Sequence, residues 1–300
     1  MTLRRLVADV GGTYTRLGIA VHGVLASAGA MRFRNDDFAG FTDVAHAYLA
    51  RQAGVLPQEI VIAIAGPTTA VAGRLTNRDW VFSAPHLSAE FGGAEVTLLN
   101  DLRATGFALS RLRPGQMTLV GEDPAPAPGA NSQSLAVGIG TGFNVCPVCP
   151  SADGSPVCLA SEYGHAGLSA GIAEALQRIA PGHRAGRFAT VEDVFSGRGY
   201  KALAALWESA GKGTGFPEVY LGLLARLTRD LICACQPDAG VYFAGGMSRF
   251  LLGGARAAMF RRAWREAGQA APVVPGPVWL ITDDHAVLYG CAGPVTPGQP

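Results

Sequence analysis

Asp9-Val10-Gly11-Gly12-Thr13 lies between two apolar runs, Leu6-Val7-Ala8 and Leu17-Gly18-Ile19-Ala20-Val21. Both runs have strand composition, so the stretch between them reads as a hairpin turn. Two consecutive glycines permit φ > 0 and let the backbone come close to a ligand. Successive N–H groups in such a turn form a concave nest for an anion. Thr13 adds a hydroxyl. Asp9, at the end of a buried strand, offers oxygen to a hydrated Mg²⁺, a hard cation that prefers oxygen ligands. The reading is a phosphate-binding hairpin. An ordinary Gly-Gly turn beside a surface aspartate fits the same five residues equally well, so the decision rests on the other 295 positions of the 300.

The bulk composition narrows the classes. Of the residues, 49% are hydrophobic and 16% charged, which is globular and long enough for one large or two ordinary domains. Twenty-four basic against 23 acidic residues leave a net charge of +1, which offers no footprint for nucleic acid or a membrane surface. No apolar run approaches the ~18 residues of a transmembrane helix. Arg4 and Arg5 lead into a run too short for a signal sequence, so a cytoplasmic location is expected. Six cysteines fit free thiols in a reducing compartment. Cys146, Cys149 and Cys158 make one close pair plus a lone third, fewer than the four ligands of a zinc site, and their role stays open between packing, metal and redox chemistry.

Along the chain, residues 1–33 read as three strands. Asn35 or Asp36 is placed to cap a helix with apolar positions Phe38, Phe41, Val44, Ala45, Tyr48 and Leu49. Ile60 to Ala65 is a buried strand stopped by Gly66-Pro67. Glu95 to Leu99 is another, ending at Asn100-Asp101, with a helix from Leu102 to Leu112. Residues 113–133, rich in proline and glycine, read as a surface connection. A second unit repeats the pattern. Its strand Ser134–Val137 runs into Gly140-Thr141-Gly142, and its strand Val241–Ala244 into Gly245-Gly246. A helix spans Phe250 to Trp264, a strand Val278 to Thr282, and a last helix Asp284 to Cys291. Strands alternating with helices predict an α/β architecture, in domains 1–112 and 113–300, with the last helix (284–292) packing back on the first domain. Two such domains are expected to face each other across a cleft.

Three glycine turns each follow an apolar strand, yet the chain has neither a Walker A motif nor G-x-G-x-x-G. Asn100-Asp101 offers a carboxylate at a strand end. In phosphoryl transfer to an alcohol, one positioned Asp accepts the hydroxyl proton while cations and N–H groups hold the phosphate. A plain helix N-cap explains the same two residues. Glu162 and His165 share a glycine-containing loop, and Glu192 sits in Thr190-Val191-Glu192-Asp193, where the Thr-to-Asp spacing resembles a capping box. Such groups can donate to or accept from sugar hydroxyls, and polar groups left unpaired by a wrong sugar reject it strongly.

In order, Asp9-Val-Gly-Gly-Thr13-x-x-Arg16, Ala63-Ile-Ala-Gly66-Pro67, Leu75-Thr76-Asn77-x-x-Trp80-x-Phe82-Ser83, Leu99-Asn100-Asp101, Gly140-Thr141-Gly142, Glu162-x-Gly164-His165, Glu192-x-Val-x-Ser196-Gly197 and Ala244-Gly245-Gly246 resemble the bacterial glucokinase family. The resemblance runs from about residue 5 to residue 292. It implies a two-domain, actin-like ATPase (ribonuclease H-like) fold with an interdomain cleft that closes on the sugar. It also implies ATP-dependent phosphorylation of D-glucose at its 6-hydroxyl. By position, Asp101 resembles the general base, and Asn100, Asp101, Glu162, His165 and Glu192 the sugar ligands. Gly11, Gly12, Thr13, Gly140, Thr141 and Gly142 resemble phosphate contacts, and Gly245 and Gly246 the adenosine end of the ATP site. Asp9 would position Mg²⁺, through water. A homodimer is the usual assembly of the family.

The chain departs from that pattern at Ala166-Gly167 and in the Ala-, Gly- and Arg-rich run between His165 and Thr190, and two further departures bear on the ligands. Asn144 stands where the second phosphate motif usually has its last glycine, and a side chain there could crowd the nucleotide. Tyr163 is bulky beside a proposed sugar ligand and could stack on the ring or shrink the pocket. Both motivate a rival reading, a kinase for fructose or an amino sugar. A non-catalytic sugar sensor is the rival from another class; it would have lost Asp101 or Asp9, and both are present.

Overall fold

The computed structural model describes residues 3–52, 56–121, 132–179, 186–266 and 276–295. The chain divides into two compact units. One is Met1–Leu112 with Ser155–Val157 and Asp284–Pro300; the other is Arg113–Gly154 with Cys158–Asp283.

In the first unit, β1 (Arg4–Val10) and β2 (Tyr14–Val21) pair antiparallel, with Asp9 opposite Arg16 and Val10 opposite Thr15. The Gly11 amide donates to the Tyr14 carbonyl at 3.0 Å and closes the hairpin. After a turn at His22-Gly23, both with positive φ, come β3 (Val24–Leu25) and β4 (Met31–Arg34), each paired with β2. Among the described residues, positions 3–34 thus hold four strands where three are predicted over 1–33. Helix α1 (Phe41–Ala50) starts one residue after Gly40, which has no side chain to cap it. The predicted cap role of Asn35 or Asp36 is wrong: Asn35–Asp37 form a 3₁₀ turn, Phe38 is extended, and Asn35 is fully buried.

The rest of this unit is β5 (Glu59–Ile64), β6 (Ala72–Arg74), β7 (Val81–Ser83), α2 (Ala84–Glu90), β8 (Glu95–Asn100) and α3 (Asp101–Ala108). The main sheet runs β3-β2-β1-β5-β8. Strands β1, β5 and β8 are parallel, and Ile60–Ile64 are all buried, as expected of a strand covered on both faces. The register aligns Val10 with Ile64 and Ile64 with Asn100. Gly11, Ala65 and Asp101 therefore leave the sheet side by side at one edge, the C-terminal ends where ligands of open α/β sheets bind.

The second unit begins inside the stretch predicted as a bare connection. There β9 (Met117–Leu119) pairs antiparallel with residues 279–281. It is followed by β10 (Ser134–Ile139), β11 (Phe143–Pro150), β12 (Pro156–Cys158, of which Cys158 alone belongs to this unit), α4 (Ala170–Ile179), α5 (Val191–Phe195), α6 (Gly197–Ser209), α7 (Phe216–Cys235), β13 (Gly240–Ala244), α8 (Gly246–Leu252), α9 (Ala255–Glu266) and β14 (Val278–Ile281). The predicted single helix from Phe250 to Trp264 is two helices. Gly254, at φ +56, breaks it between α8 and α9. Strands β10, β13 and β14 are parallel, and Gly138 of β10 pairs with Ala244 of β13. The second and third glycine turns thus emerge from neighbouring strands at the same edge. The core behind them includes Leu135, Val137, Phe143, Phe195, Tyr220 and Phe243.

Helix α10 (Ala286–Ala292) returns to the first unit. It packs against α3 so closely that a Cβ on Gly290 would collide with the Ala104 carbonyl. Overpacking of this kind costs about 1–3 kcal/mol. Gly290→Ala is expected to lower Tm by roughly 5 °C or more, read by thermal denaturation. An unchanged Tm would show that α10 is free to shift.

Candidate active site

The hairpin turn of the first unit is braced by groups well separated in sequence. The Asn35 side-chain amide donates to the Gly11 carbonyl at 2.7 Å and to the Gly12 carbonyl at 3.3 Å, and its oxygen accepts from the buried Thr15 hydroxyl at 2.8 Å. The Asn35 backbone amide donates to the Thr13 carbonyl at 2.9 Å. Arg78 donates to Gly12 at 3.2 Å, pairs with Asp36 and lies over the Trp80 ring. These bonds hold the carbonyls of the turn from outside it. Neither Gly11 nor Gly12 has positive φ, and a Cβ on either would meet only ordinary contacts. The backbone does not demand glycine at these two positions. What the pair provides is an open approach for something outside the turn.

Asp9 is half-buried and its Oδ2 accepts from Arg16 Nη1 at 3.3 Å; Arg16 Nη2 lies 4.0 Å from Asp284. At the head of α3 the two candidate residues divide the work. Asn100 is the N-cap: its Oδ1 accepts from the amides of Leu102 at 3.0 Å and Arg103 at 3.4 Å, and its Nδ2 donates to Gly66 at 3.3 Å. Asp101 is the first helical residue, with Oδ1 accepting from the Leu102 amide at 2.9 Å. The capping that either residue could have done falls to Asn100, so Asp101 is not needed for it. Burial, and then the charge of Asp9, raise the Asp101 pKa from 3.8 to about 6.

In the second unit the Gly140-Thr141-Gly142 turn is held by Glu192 and Gly197. The Gly140 amide donates to Gly142 at 3.0 Å, and the Gly197 amide donates to Gly140 at 2.9 Å. The Phe143 amide donates to Glu192 Oε2 at 3.1 Å, and Arg198 Nη2 donates to Glu192 Oε1 at 2.7 Å. A Cβ on Gly142 would lie 2.7 Å from Glu192 Oε2. The predicted capping box is present: Thr190 and Asp193 exchange side-chain and backbone hydrogen bonds at the start of α5. This fixes the turn of helix that carries Glu192. Gly164 fits because a Cβ there would strike the Phe143 carbonyl. It presses the Glu162–His165 loop, a 3₁₀ turn with both ionisable side chains exposed, against β11. In the third turn Gly245 has φ 97, and a Cβ would sit 2.5 Å from the Ile139 carbonyl. Only glycine allows both.

Compared with known proteins, the chain matches the Glucokinase family model over residues 6–215 and 214–296. The chain belongs to the glucokinase family. A glucokinase of Paramagnetospirillum magneticum is 28% identical over 97% of this chain and 97% of its own length. The crystal structure of a glucokinase from an Antarctic psychrotroph aligns with a TM-score of 0.78 at 25% identity, over 96% of this chain and 97% of that one. The glucokinase of Balamuthia mandrillaris in complex with glucose aligns with a TM-score of 0.69 at 18% identity, over 97% and 93%. The fold is thus that of the two-domain, actin-like sugar kinases, and the protein is an enzyme, a phosphotransferase to an alcohol group.

Within this glucokinase-family fold the two departures are explained by their surroundings. Tyr163 packs against the second-unit core, and burial first, then Asp230 and Cys235, raises its pKa. Its side chain is thus spent on packing. Asn144 bonds to the Ser161–Tyr163 loop. All six cysteines are free thiols, and among the described residues no group of three or more His, Cys, Asp or Glu could hold a metal ion. No helix among them is long and apolar enough to cross a membrane. Asn35 and Arg78 are the members of the site that the sequence does not disclose. Asn35 reads as a cap by residue type, and Arg78 falls at an unspecified position of the Asn77-x-x-Trp80 motif.

Proposed function

We propose that the protein transfers the γ-phosphoryl group of ATP to the 6-hydroxyl of D-glucose. The observation that carries this reading is the head of α3, where Asn100 caps and Asp101 is left with a raised pKa. A carboxylate near pKa 6 is a better proton acceptor than an ordinary one and is still ionised at neutral pH. Asp101 takes the 6-hydroxyl proton as that oxygen attacks the γ-phosphorus. The N–H groups of Gly12 and Thr13 receive the charge that develops on the phosphoryl oxygens, while the Gly11 amide, bonded to the Tyr14 carbonyl, holds the turn. Thr141 and Gly142 hold the remaining phosphates, and Gly245 and Gly246 line the adenosine end. Asn100, Glu162, His165 and Glu192 bind the other sugar hydroxyls. Glucose is favoured over fructose or an amino sugar because Tyr163 and Asn144, the residues that motivated those rivals, are engaged with the protein itself.

Mg²⁺ suits the donor set. It is usually held by one or two carboxylates, waters and substrate phosphates rather than a protein cage, and Asp9 presents one half-buried carboxylate beside the turn. When bound, the ion neutralises charge on the phosphate oxygens. Arg16 holds Asp9 in place. The reading carries with it a cytoplasmic location and a homodimer, which light scattering checks.

A pH profile follows from Asp101. The base works only when deprotonated, so kcat/KM should be flat above about pH 6.5 and fall about tenfold per unit below pH 6. A profile still flat at pH 5 would remove Asp101 from the role. The overall reaction is tested by ³¹P NMR of the product formed from Mg-ATP and glucose. The expected signal is a phosphate ester split by the two protons on carbon 6. An ester on any other carbon, or no ester, refutes the reading.

A further inference from the structure

Asn144 is on β11, two residues beyond the second glycine turn, and its side chain spans to the loop that carries Glu162. Its Nδ2 donates to the Ser161 carbonyl at 2.6 Å and to Glu162 Oε2 at 3.2 Å. Its Oδ1 accepts from the amides of Tyr163 at 3.1 Å and Val145 at 2.9 Å. The orientation of the amide is not arbitrary. A carbonyl can only accept and a backbone amide can only donate, so Ser161 and Tyr163 together fix which end is nitrogen. The second hydrogen of that nitrogen then falls to the exposed Glu162 carboxylate.

We infer that Asn144 is a positioning residue for sugar binding: it holds the Glu162 carboxylate and its loop in the geometry that receives a sugar hydroxyl. This rests on the proposed role of Glu162. It runs against the expectation that a side chain at this position burdens the nucleotide. Asn144 is spent on the loop, and the adjoining phosphate turn is held separately by Glu192 and Gly197. Removing Asn144 should therefore weaken sugar binding and leave nucleotide binding alone.

The near-isosteric Asn144→Asp is the sharpest variant. An aspartate can still accept from Tyr163 but cannot donate to Ser161 or Glu162, and it sets a second carboxylate beside the first. Glucose affinity should fall about tenfold or more at pH 8, the scale of one lost hydrogen bond to a charged group. It should recover as the pH is lowered and one of the two carboxylates takes a proton. Loss of local structure alone would give no such recovery.

The experiment is a calorimetric titration of the full chain with glucose, and separately with ADP. It uses the wild type, Asn144→Asp and Asn144→Gly, with Tm measured for each. The expected result is weaker glucose binding in both variants, a pH-dependent ratio for Asn144→Asp only, and ADP affinity within about twofold of wild type. Unchanged glucose affinity, or equal weakening of both ligands, overturns the inference. If the wild type binds no glucose, the proposed function falls with it. If the wild type binds glucose but phosphorylates nothing, the proposed function fails alone, and the affinities still decide the role of Asn144.

Discussion

Asp101→Asn is expected to reduce kcat by about 10²–10⁴, the range of a positioned general base. The Kd for glucose should change by less than about threefold. An asparagine keeps the shape and can still accept from the Leu102 amide, so the start of α3 is preserved; Asn100 remains the cap. What disappears is the ability to accept a proton. The same variant has a second signature. The folded-state pKa of Asp101, about 6, lies above its ordinary 3.8. The contribution of such a group to stability is full below the unfolded pKa and is lost as pH rises through about 6. At pH 8 the ionised carboxylate therefore works against the fold. Asp101→Asn should raise Tm by a few degrees at pH 8 and leave it unchanged near pH 4. A dead enzyme that is also more stable at high pH is hard to explain by misfolding. A variant with near-normal kcat would show that another group is the base.

Glu192→Ala should cost nearly as much by a different route. Glu192 accepts from Phe143, next to the phosphate turn, and from Arg198, and it is a proposed sugar ligand. Its loss removes a sugar contact and leaves the Phe143 amide without its acceptor. At about 1.5–3 kcal/mol for each hydrogen bond to a charged group, kcat/KM should drop by roughly 10²–10⁴. Glu192→Gln keeps an oxygen for Phe143. It should retain the KM for ATP while raising that for glucose. Steady-state kinetics with each substrate varied in turn separates these outcomes. A Glu192→Ala enzyme within about threefold of wild type would mean that Glu192 neither binds sugar nor holds the turn.

The parts of the fold that were legible in the sequence are those set by local chemistry. Continuous apolar runs on either side of Gly11-Gly12 specify the first hairpin, and the Thr190–Asp193 spacing specifies a capping box that is present. Position alone placed Asn100-Asp101 at the end of a buried strand. It could not say which of the two would cap the helix, because both residue types cap well. The misread parts depend on distant partners. The strand Met117–Leu119 exists because it pairs with residues 279–281, and nothing within three residues of local sequence reports that. Asn35 has the composition of a cap and the location of a brace, since the carbonyls it binds are more than twenty residues earlier. The break at Gly254 was hidden by apolar periodicity that continues on both sides of it.

ADP release in a coupled assay, with Mg-ATP and glucose, mannose, fructose or N-acetylglucosamine in turn, tests the central claim most directly. The expected result is turnover with glucose, kcat/KM about tenfold or more above the other three, and loss of that turnover in Asp101→Asn. Folded, ATP-binding protein that releases no ADP with any of the four sugars, or that prefers one of the other three, would contradict it.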